Sequence, residues 1–247
     1  MEFEGIVLPI DKERGVLSSR VVNTIKRVLK KEKVLLKVGH GGTLDKFASG
    51  LLLLLIGKAT KLFDVIKQFP KTYIATIKFG EFRYTDDIYG EVISYFDTSK
   101  LSFGVVSKTL KDFQGEILQV PPVYSAVHID GTRAYKRAKK DYYSTLKKLK
   151  PKRVNIYKIE LLDFQKEVSE ARILVECSGG TYIRSIARDL GQILGVGGFL
   201  KDLRRTKIGN IDLDSSIKVY DIKSFADISS KGLKISDFIN INKNFIA

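Results

Sequence analysis

The chain has 247 residues, 44% of them hydrophobic, with 43 Lys and Arg against 28 Asp and Glu. That length supports one sizeable core, or a core plus a small appendage, and no apolar run approaches the roughly 20 residues of a membrane span. A single cysteine, Cys177, excludes an internal disulfide, and only two histidines, His40 and His128, argue against a histidine-built metal site. The net charge of +15 favours a polyanionic partner, most simply nucleic acid, although a lysine-rich surface bias accounts for part of it. Residues 1–4 are acidic and lack the basic n-region and apolar h-region of a signal peptide. The expectation is a metal-free protein of the cytoplasm.

Residues 5–10 read as a first strand and 11–15 as a turn. Ser18 or Ser19 can cap a helix whose apolar face is Val21, Val22, Ile25, Val28 and Leu29, and Lys30-Lys31 suits its C-terminus. Residues 39–50, GHGGTLDKFASG, form a glycine-rich loop carrying His40 and Asp45. The aliphatic run 51–56 behind it has the length of a buried strand. A loop bolted to a core strand is a common way to present a reactive group. On composition alone, however, a lone carboxylate there is more often a solvated turn residue. A phosphate-binding P-loop around Gly57-Lys58-Ala59-Thr60 is rejected, because Leu52 stands in place of the first glycine and no Ser or Thr directly follows the lysine.

Residues 59–66 read as a short helix with Leu62, Phe63 and Ile66 on one face. Over 71–80, Tyr73, Ala75, Ile77 and Phe79 alternate with more polar positions, which predicts a strand with Tyr73 on its apolar side. Residues 102–113 read as a helix with Val105, Val106, Leu110 and Phe113 inward. Pro121-Pro122 then forces an extended chain. From 133 to 153, ten Lys or Arg stand against one acid, Asp141, with Tyr135, Tyr142 and Tyr143 interleaved. This is either a solvated helix or a phosphate-gripping, base-stacking arm. Its few aliphatic residues predict mobility in the absence of RNA. Segments 153–164 and 171–177 read as a strand pair, with Cys177 a small buried residue. Ile183, Ile186, Ala187, Leu190 and Leu194 form a helical stripe that Ser178 or Thr181 can cap. Arg184 falls in the first turn, where the helix dipole disfavours a cation that lacks an anionic partner. A weak amphipathic segment over 219–228 follows, and no repeat or linker breaks the chain.

The string GHGGTLDKFASG resembles the active-site motif of the TruB family of tRNA pseudouridine synthases, approximately G-H-x-G-T-L-D-x-x-A-x-G. Further strings agree over roughly residues 5–240: QVPPVYSA at 119–126 resembles Q-x-P-P-x-Y-S-A, and CSGGTYIRS at 177–185 resembles C-S-x-G-T-Y-I-R-[ST]. Two departures stand out: Glu13 replaces a proline in the first motif around Asp11-Lys12, and Tyr84 stands where the family usually has an Asp ahead of Thr85-Asp86-Asp87. The resemblance implies that Asp45 is the nucleophile, that Arg184 pairs with it, and that Tyr73 stacks on the target base and acts on its C5 proton. It places Leu203 against the uracil. His40 is the candidate for filling the gap left by a flipped base, and Lys12, Tyr182, Lys139 and Lys140 for RNA contacts. On the residues alone, Tyr73 is equally a core tyrosine, His40 a hydrogen-bonded loop histidine and Lys12 a solvated turn lysine.

The implied fold is α+β, the pseudouridine-synthase fold: a mixed, mainly antiparallel sheet flanked by helices, with an inserted basic thumb segment at about 124–152. One catalytic domain spans 1–247, with a short extension over 211–247. With 37 residues after Asn210, the expectation is that there is no room for both the linking segment and the PUA-type RNA-binding domain that most relatives carry. The implied reaction isomerises uridine to pseudouridine in the T arm (TΨC loop) of tRNA, by a monomer without cofactor, membrane or protein partner. Two other readings stay open: a non-catalytic RNA-binding protein on the same scaffold, and a synthase acting on ribosomal or messenger RNA.

Overall fold

The computed structural model describes residues 4–246; Met1, Glu2 and Phe3 of the acidic start, and Ala247, lie outside the described residues. The chain divides into two units, Met1–Tyr73 with Leu203–Ala247, and Ile74–Asp202. It opens with β1 (Ile6–Lys12), α1 (Ser18–Lys31), β2 (Val38–His40), β3 (Ser49–Ile56), α2 (Phe63–Gln68) and β4 (Lys71–Phe79). Next come β5 (Glu81–Arg83), β6 (Val92–Tyr95), α3 (Phe103–Leu110), β7 (Gly115–Gln119), β8 (His128–Ile129) and β9 (Thr132–Arg133). They lead into α4 (Ala134–Ala138), α5 (Tyr142–Lys148), β10 (Lys152–Gln165), β11 (Glu170–Cys177) and α6 (Ile183–Ile193). The chain closes with β12 (Gly198–Ile208), β13 (Ile211–Asp212), α7 (Phe225–Lys231), β14 (Leu233–Lys234) and α8 (Ile235–Ile241). No helix among the described residues is long and apolar enough to cross a membrane.

In the first unit, β3 is the central strand. It pairs antiparallel with β1 from Ile6↔Ile56 to Lys12↔Gly50, and antiparallel with β2 from Val38↔Ile56 to His40↔Leu54. β12 comes alongside in parallel, Arg204 opposite Ser49 and Arg205 opposite Gly50. Both faces of β3 are covered. Leu52, Leu54 and Ile56 pack with Leu8, Ile10, Val21 and Ile25, while Leu51, Leu53 and Leu55 pack with Val7, Ile66, Phe69 and Phe238. A strand buried on both faces needs no alternation, which accounts for the uniform SGLLLLLI. Gly50 has φ +101°, and a Cβ there would run into the Arg205 backbone, so glycine is what lets β12 approach.

The short helix expected over 59–66 is divided. A 3-10 turn covers Gly57–Leu62 and α2 begins at Phe63, which puts Ile66 inside but leaves Phe63 41% exposed, contrary to expectation. The segment over 219–228 is also under-read from the sequence. Ser224 and Asp227 form a reciprocal capping box that starts α7. β14 then adds to β1, Ile6 opposite Lys234, and α8 delivers Phe238 onto Phe69 with ring centroids 6.1 Å apart.

In the second unit the strand order is β4–β11–β10–β7. β10 pairs antiparallel with β11 and with β7, with register shifts against β11 near Lys158 and Asp163. α3 is capped by Ser102, whose side chain accepts from the Val105 N–H; Val106 and Leu110 face inward, whereas Val105, expected inside, is exposed. The basic segment is not one helix. It folds as the β8–β9 hairpin with α4 and α5, around a small core of Val123, Ile129, Ala134, Ala138 and Leu149.

Candidate active site

Residues 39–50 leave β2 and enter β3, and their backbone is anchored at nearly every turn. The Gly41 N–H donates to the Leu53 carbonyl at 2.8 Å, and the Gly15 N–H to the Lys46 carbonyl at 2.8 Å. Ser18 was expected to cap α1. Instead its hydroxyl donates to the Leu44 carbonyl (2.9 Å) and accepts the Leu44 N–H (3.1 Å), while Leu17 is the N-cap. Arg205, 2% exposed, donates through Nε to the Leu51 carbonyl (2.7 Å) and through Nη2 to the Gly42 carbonyl (3.2 Å), so it brackets the loop at both ends. The Ala48 N–H closes a turn on the Asp45 carbonyl at 3.1 Å. Leu44, Phe47 and Ala48 are buried and Asp45 is half-buried, so apolar pegs on either side hold the carboxylate at the surface of a fixed loop.

Lys12 is not the solvated turn lysine. It is 1% exposed, and its Nζ donates to the carbonyls of Glu13 (2.9 Å), Val16 (2.7 Å) and Ala48 (2.6 Å), beneath the loop rather than where a phosphate would meet it. Burial pushes its pKa down to about 8; the Asp45 charge works against that shift and Arg205 adds to it. His40 is half-buried. Burial, and secondarily Arg205, lower its pKa, so its imidazole is neutral at physiological pH; its Nδ1 accepts a long 3.4 Å bond from the Gly42 N–H. Tyr73 (8% exposed) and Leu203 (5%) are buried in the same unit.

The second unit gathers three strings that are far apart in sequence. Gln119 clamps Tyr182 from both sides, its Oε1 accepting the Tyr182 N–H at 2.8 Å and its Nε2 donating to the Tyr182 carbonyl at 3.1 Å. The Ser185 hydroxyl donates to the Val120 carbonyl at 2.8 Å. Arg184, 7% exposed, donates to the carbonyls of Thr85 (3.1 Å) and Tyr124 (3.2 Å) and lies 3.6 Å from the Asp87 carboxylate. Its place in the first turn of α6 therefore comes with an acid, as the dipole argument requires. Asp87 is itself oriented, accepting from the Thr85 hydroxyl at 2.5 Å and the Tyr89 N–H at 3.0 Å. One turn further along, Arg188 bonds Asp86 (3.1 Å), Asp189 (2.8 Å) and the Val120 carbonyl (2.9 Å). Burial pushes Asp86 up to about 6 against the pull of Arg188 and Arg184. Neither Ser178 nor Thr181 caps α6: the Ser178 hydroxyl accepts the Asn155 N–H and Thr181 donates to the Ser178 carbonyl.

Asp45, His40, Lys12, Tyr73 and Leu203 thus belong to the first unit, and Arg184, Tyr182, Lys139 and Lys140 to the second. Lys139 and Lys140 are exposed on the basic segment. The sequence pointed to no site role for Arg205, Asp86, Asp87 or Arg188, and to Ser18 only as a helix cap. The strings around them were visible, but a serine beside a helix start looks like a cap and an arginine in a strand looks like surface. Among the described residues no group of three or more His, Cys, Asp or Glu could hold a metal ion.

A family model described as TruB family pseudouridylate synthase (N terminal domain) matches residues 26–183, and one described as tRNA pseudouridylate synthase B C-terminal domain matches 184–236. The chain is 41% identical over 222 residues to the tRNA pseudouridine synthase B of Aquifex aeolicus, covering 90% of this chain and 74% of that protein. It is 40% identical over 239 residues to the protein of the same name from Bacteroides fragilis, covering 95% and 98%. A chain in a solved Cbf5-Nop10-Gar1 complex is 28% identical with a TM-score of 0.67; the match covers 92% of this chain and 56% of that one, so the present chain spans about half of that relative's length.

Proposed function

The chain belongs to the TruB family of pseudouridylate synthases, and from that premise we propose that it isomerises uridine to pseudouridine in the T arm of tRNA, by flipping the base out and using Asp45 as nucleophile. It is an RNA pseudouridine synthase with the α+β fold that the motifs imply. The observation that carries the proposal is the loop of Asp45. Its carboxylate stands half-exposed on a backbone held by Ser18, Lys12 and Arg205, none of which is needed for an ordinary solvated turn.

In the reaction the C1′–N1 bond breaks, the uracil turns, and a C1′–C5 bond forms; the proton lost from C5 is balanced by one gained at N1. Atoms and electrons are conserved without an oxidant, so the chemistry needs no cofactor. Asp45 has to be ionised to attack carbon or stabilise a sugar cation. Arg184 is the proposed counter-charge that aims it, with Asp87 holding the guanidinium. Tyr73 and Leu203 supply the walls against the uracil, and Tyr73 is placed to act on the C5 proton. His40, neutral and able to stack, fills the gap in the RNA. The base lies inside a folded arm, and extracting it costs a few kcal/mol, which the basic segment with Lys139 and Lys140 repays through phosphate contacts. Both units form one catalytic domain, acting in the cytoplasm as a monomer without a protein partner.

The test uses the purified chain alone with a T-arm stem-loop transcript, and maps pseudouridine by carbodiimide modification. The wild-type chain forms pseudouridine; Asp45→Asn forms none while RNA affinity is retained. An active Asp45→Asn protein refutes the assignment, and a wild-type chain inactive on this RNA refutes the T-arm reading.

A further inference from the structure

A cavity of about 430 Å³ opens on the first unit between α1, β2 and the start of α2. Its floor is apolar: Val22 and Leu55 are buried, and Phe63 is the aromatic that sequence reading put inside but that stands 41% exposed. Its rim is polar, with Asn23 and Lys26 exposed on α1, and its end wall is His40. The volume lies in the range of small-ligand sites, which bury an apolar body and fix it with a few polar groups. Asn23 and Lys26 stand one turn apart on one helix face, so an amide and an ammonium line the same cavity as Phe63.

Each group fits one part of a nucleotide. An exposed Phe stacks on a base face. An Asn amide offers a donor and an acceptor to a base edge, and an ammonium binds the adjoining phosphate. A neutral His40 leaves the end wall suited to stacking rather than to gripping phosphate. The chain's net charge of +15 favours a polyanionic occupant over a free neutral metabolite. His40 also begins the loop that carries Asp45, five positions on, so whatever enters the cavity is close along the loop to the proposed reaction centre.

We propose that this cavity, between Phe63, His40, Asn23 and Lys26, is a second nucleotide subsite that takes an unpaired base of the substrate RNA other than the one being isomerised. It rests on the reading of the chain as an RNA pseudouridine synthase and adds a recognition element to it. The site reads the RNA in the ground state and the transition state alike. Its loss therefore raises KM and leaves kcat in place.

The experiment compares wild-type chain with Asn23→Ala/Lys26→Gln, two exposed positions whose change does not threaten the core, on the T-arm stem-loop transcript. The double variant is expected to raise KM roughly tenfold at unchanged kcat, the scale of one lost hydrogen bond to a charged group. In parallel, transcripts carrying 5-iodouridine at single loop positions are photo-crosslinked to the wild-type chain. One position other than the target should attach to Phe63, which has no part in the proposed reaction centre. Unchanged KM together with no crosslink to Phe63 overturns the subsite. A wild-type chain that forms no pseudouridine is the separate outcome that defeats the functional reading itself.

Discussion

At the scale of single residues, the two units use cations in different ways. Lys12 and Arg205 spend their donors on backbone carbonyls, so they build the loop around Asp45. Arg184 spans two carbonyls and a carboxylate from two separate strings, Thr85 and Asp87 in one and Tyr124 in the other. That span needs a planar fork. A lysine ammonium is a single point with a shorter reach and leaves at least one buried carbonyl unpartnered, a loss of about 1–3 kcal/mol. Arg184→Lys is therefore expected to lower the melting temperature and to reduce kcat by on the order of 100-fold, the scale seen when one preorganised donor is removed. Circular dichroism melting and single-turnover kinetics check the two effects separately, and near-normal turnover removes Arg184 from the mechanism. That Arg184 needs an acid beside it was legible, because a cation in the first turn of a helix is anomalous by itself; the acid at 3.6 Å is Asp87, which the sequence did not single out. Lys12 was not legible, since nothing in a turn lysine's neighbours in sequence tells that Ala48 will close over it.

At the scale of elements, periodicity located α1, β4 and α6, because each buries one regular face or stripe, while β1 was legible as an apolar run that is buried on both faces. It failed where burial was irregular. Phe63 and Val105 lie on apolar faces by spacing, yet both helices are short and turn those positions outward. The basic segment was legible in charge but not in packing: a core of five small or aliphatic residues suffices to shape it. Tyr142 of α5 further packs edge-on to Tyr84 at 4.9 Å and stacks on Tyr124 at 6.4 Å, so the residue that departs from the family pattern at 84 provides an aromatic seat for the segment. Lys139, Lys140 and Lys147 face solvent, and Lys148 pairs with Asp130 at 3.0 Å. If this segment grips phosphates, each contact contributes about 0.7–0.9 to the slope of log affinity against log salt. Reversing all four to Glu is expected to weaken T-arm RNA binding and flatten that slope, read by fluorescence anisotropy between low and moderate salt. An unchanged slope takes the RNA contacts away from this segment.

At the scale of the whole molecule, the paired acids set how stability responds to pH, and they pull in opposite directions. Asp11 is pushed up by burial but pulled lower overall by bonds from Lys218 (2.7 Å) and Arg204 (3.1 Å). Its stabilising contribution is present above the unfolded carboxyl range and is lost as pH falls. Asp86 is raised by burial to about 6 from 3.8, with Arg188 and Arg184 opposing the shift and Asp189 adding to it. Below pH 4 both folded and unfolded chains hold its proton. Between about 4 and 6 the unfolded chain releases the proton while the folded chain keeps it, so stability falls as pH rises through that window. At most ~3 kcal/mol is at stake for a shift of this size, since one pKa unit corresponds to about 1.4 kcal/mol. Asp86→Asn removes the titration together with the charge that Arg188 pairs with, and Asn tolerates the φ of +57° found there. Urea unfolding of both proteins from pH 4 to 7 is expected to show the variant gaining on the wild type up to pH 6 and holding level above it. Curves that stay parallel across the window would mean that Arg188 compensates the buried charge in full, and that Asp86 is held as an ion at no expense to the fold.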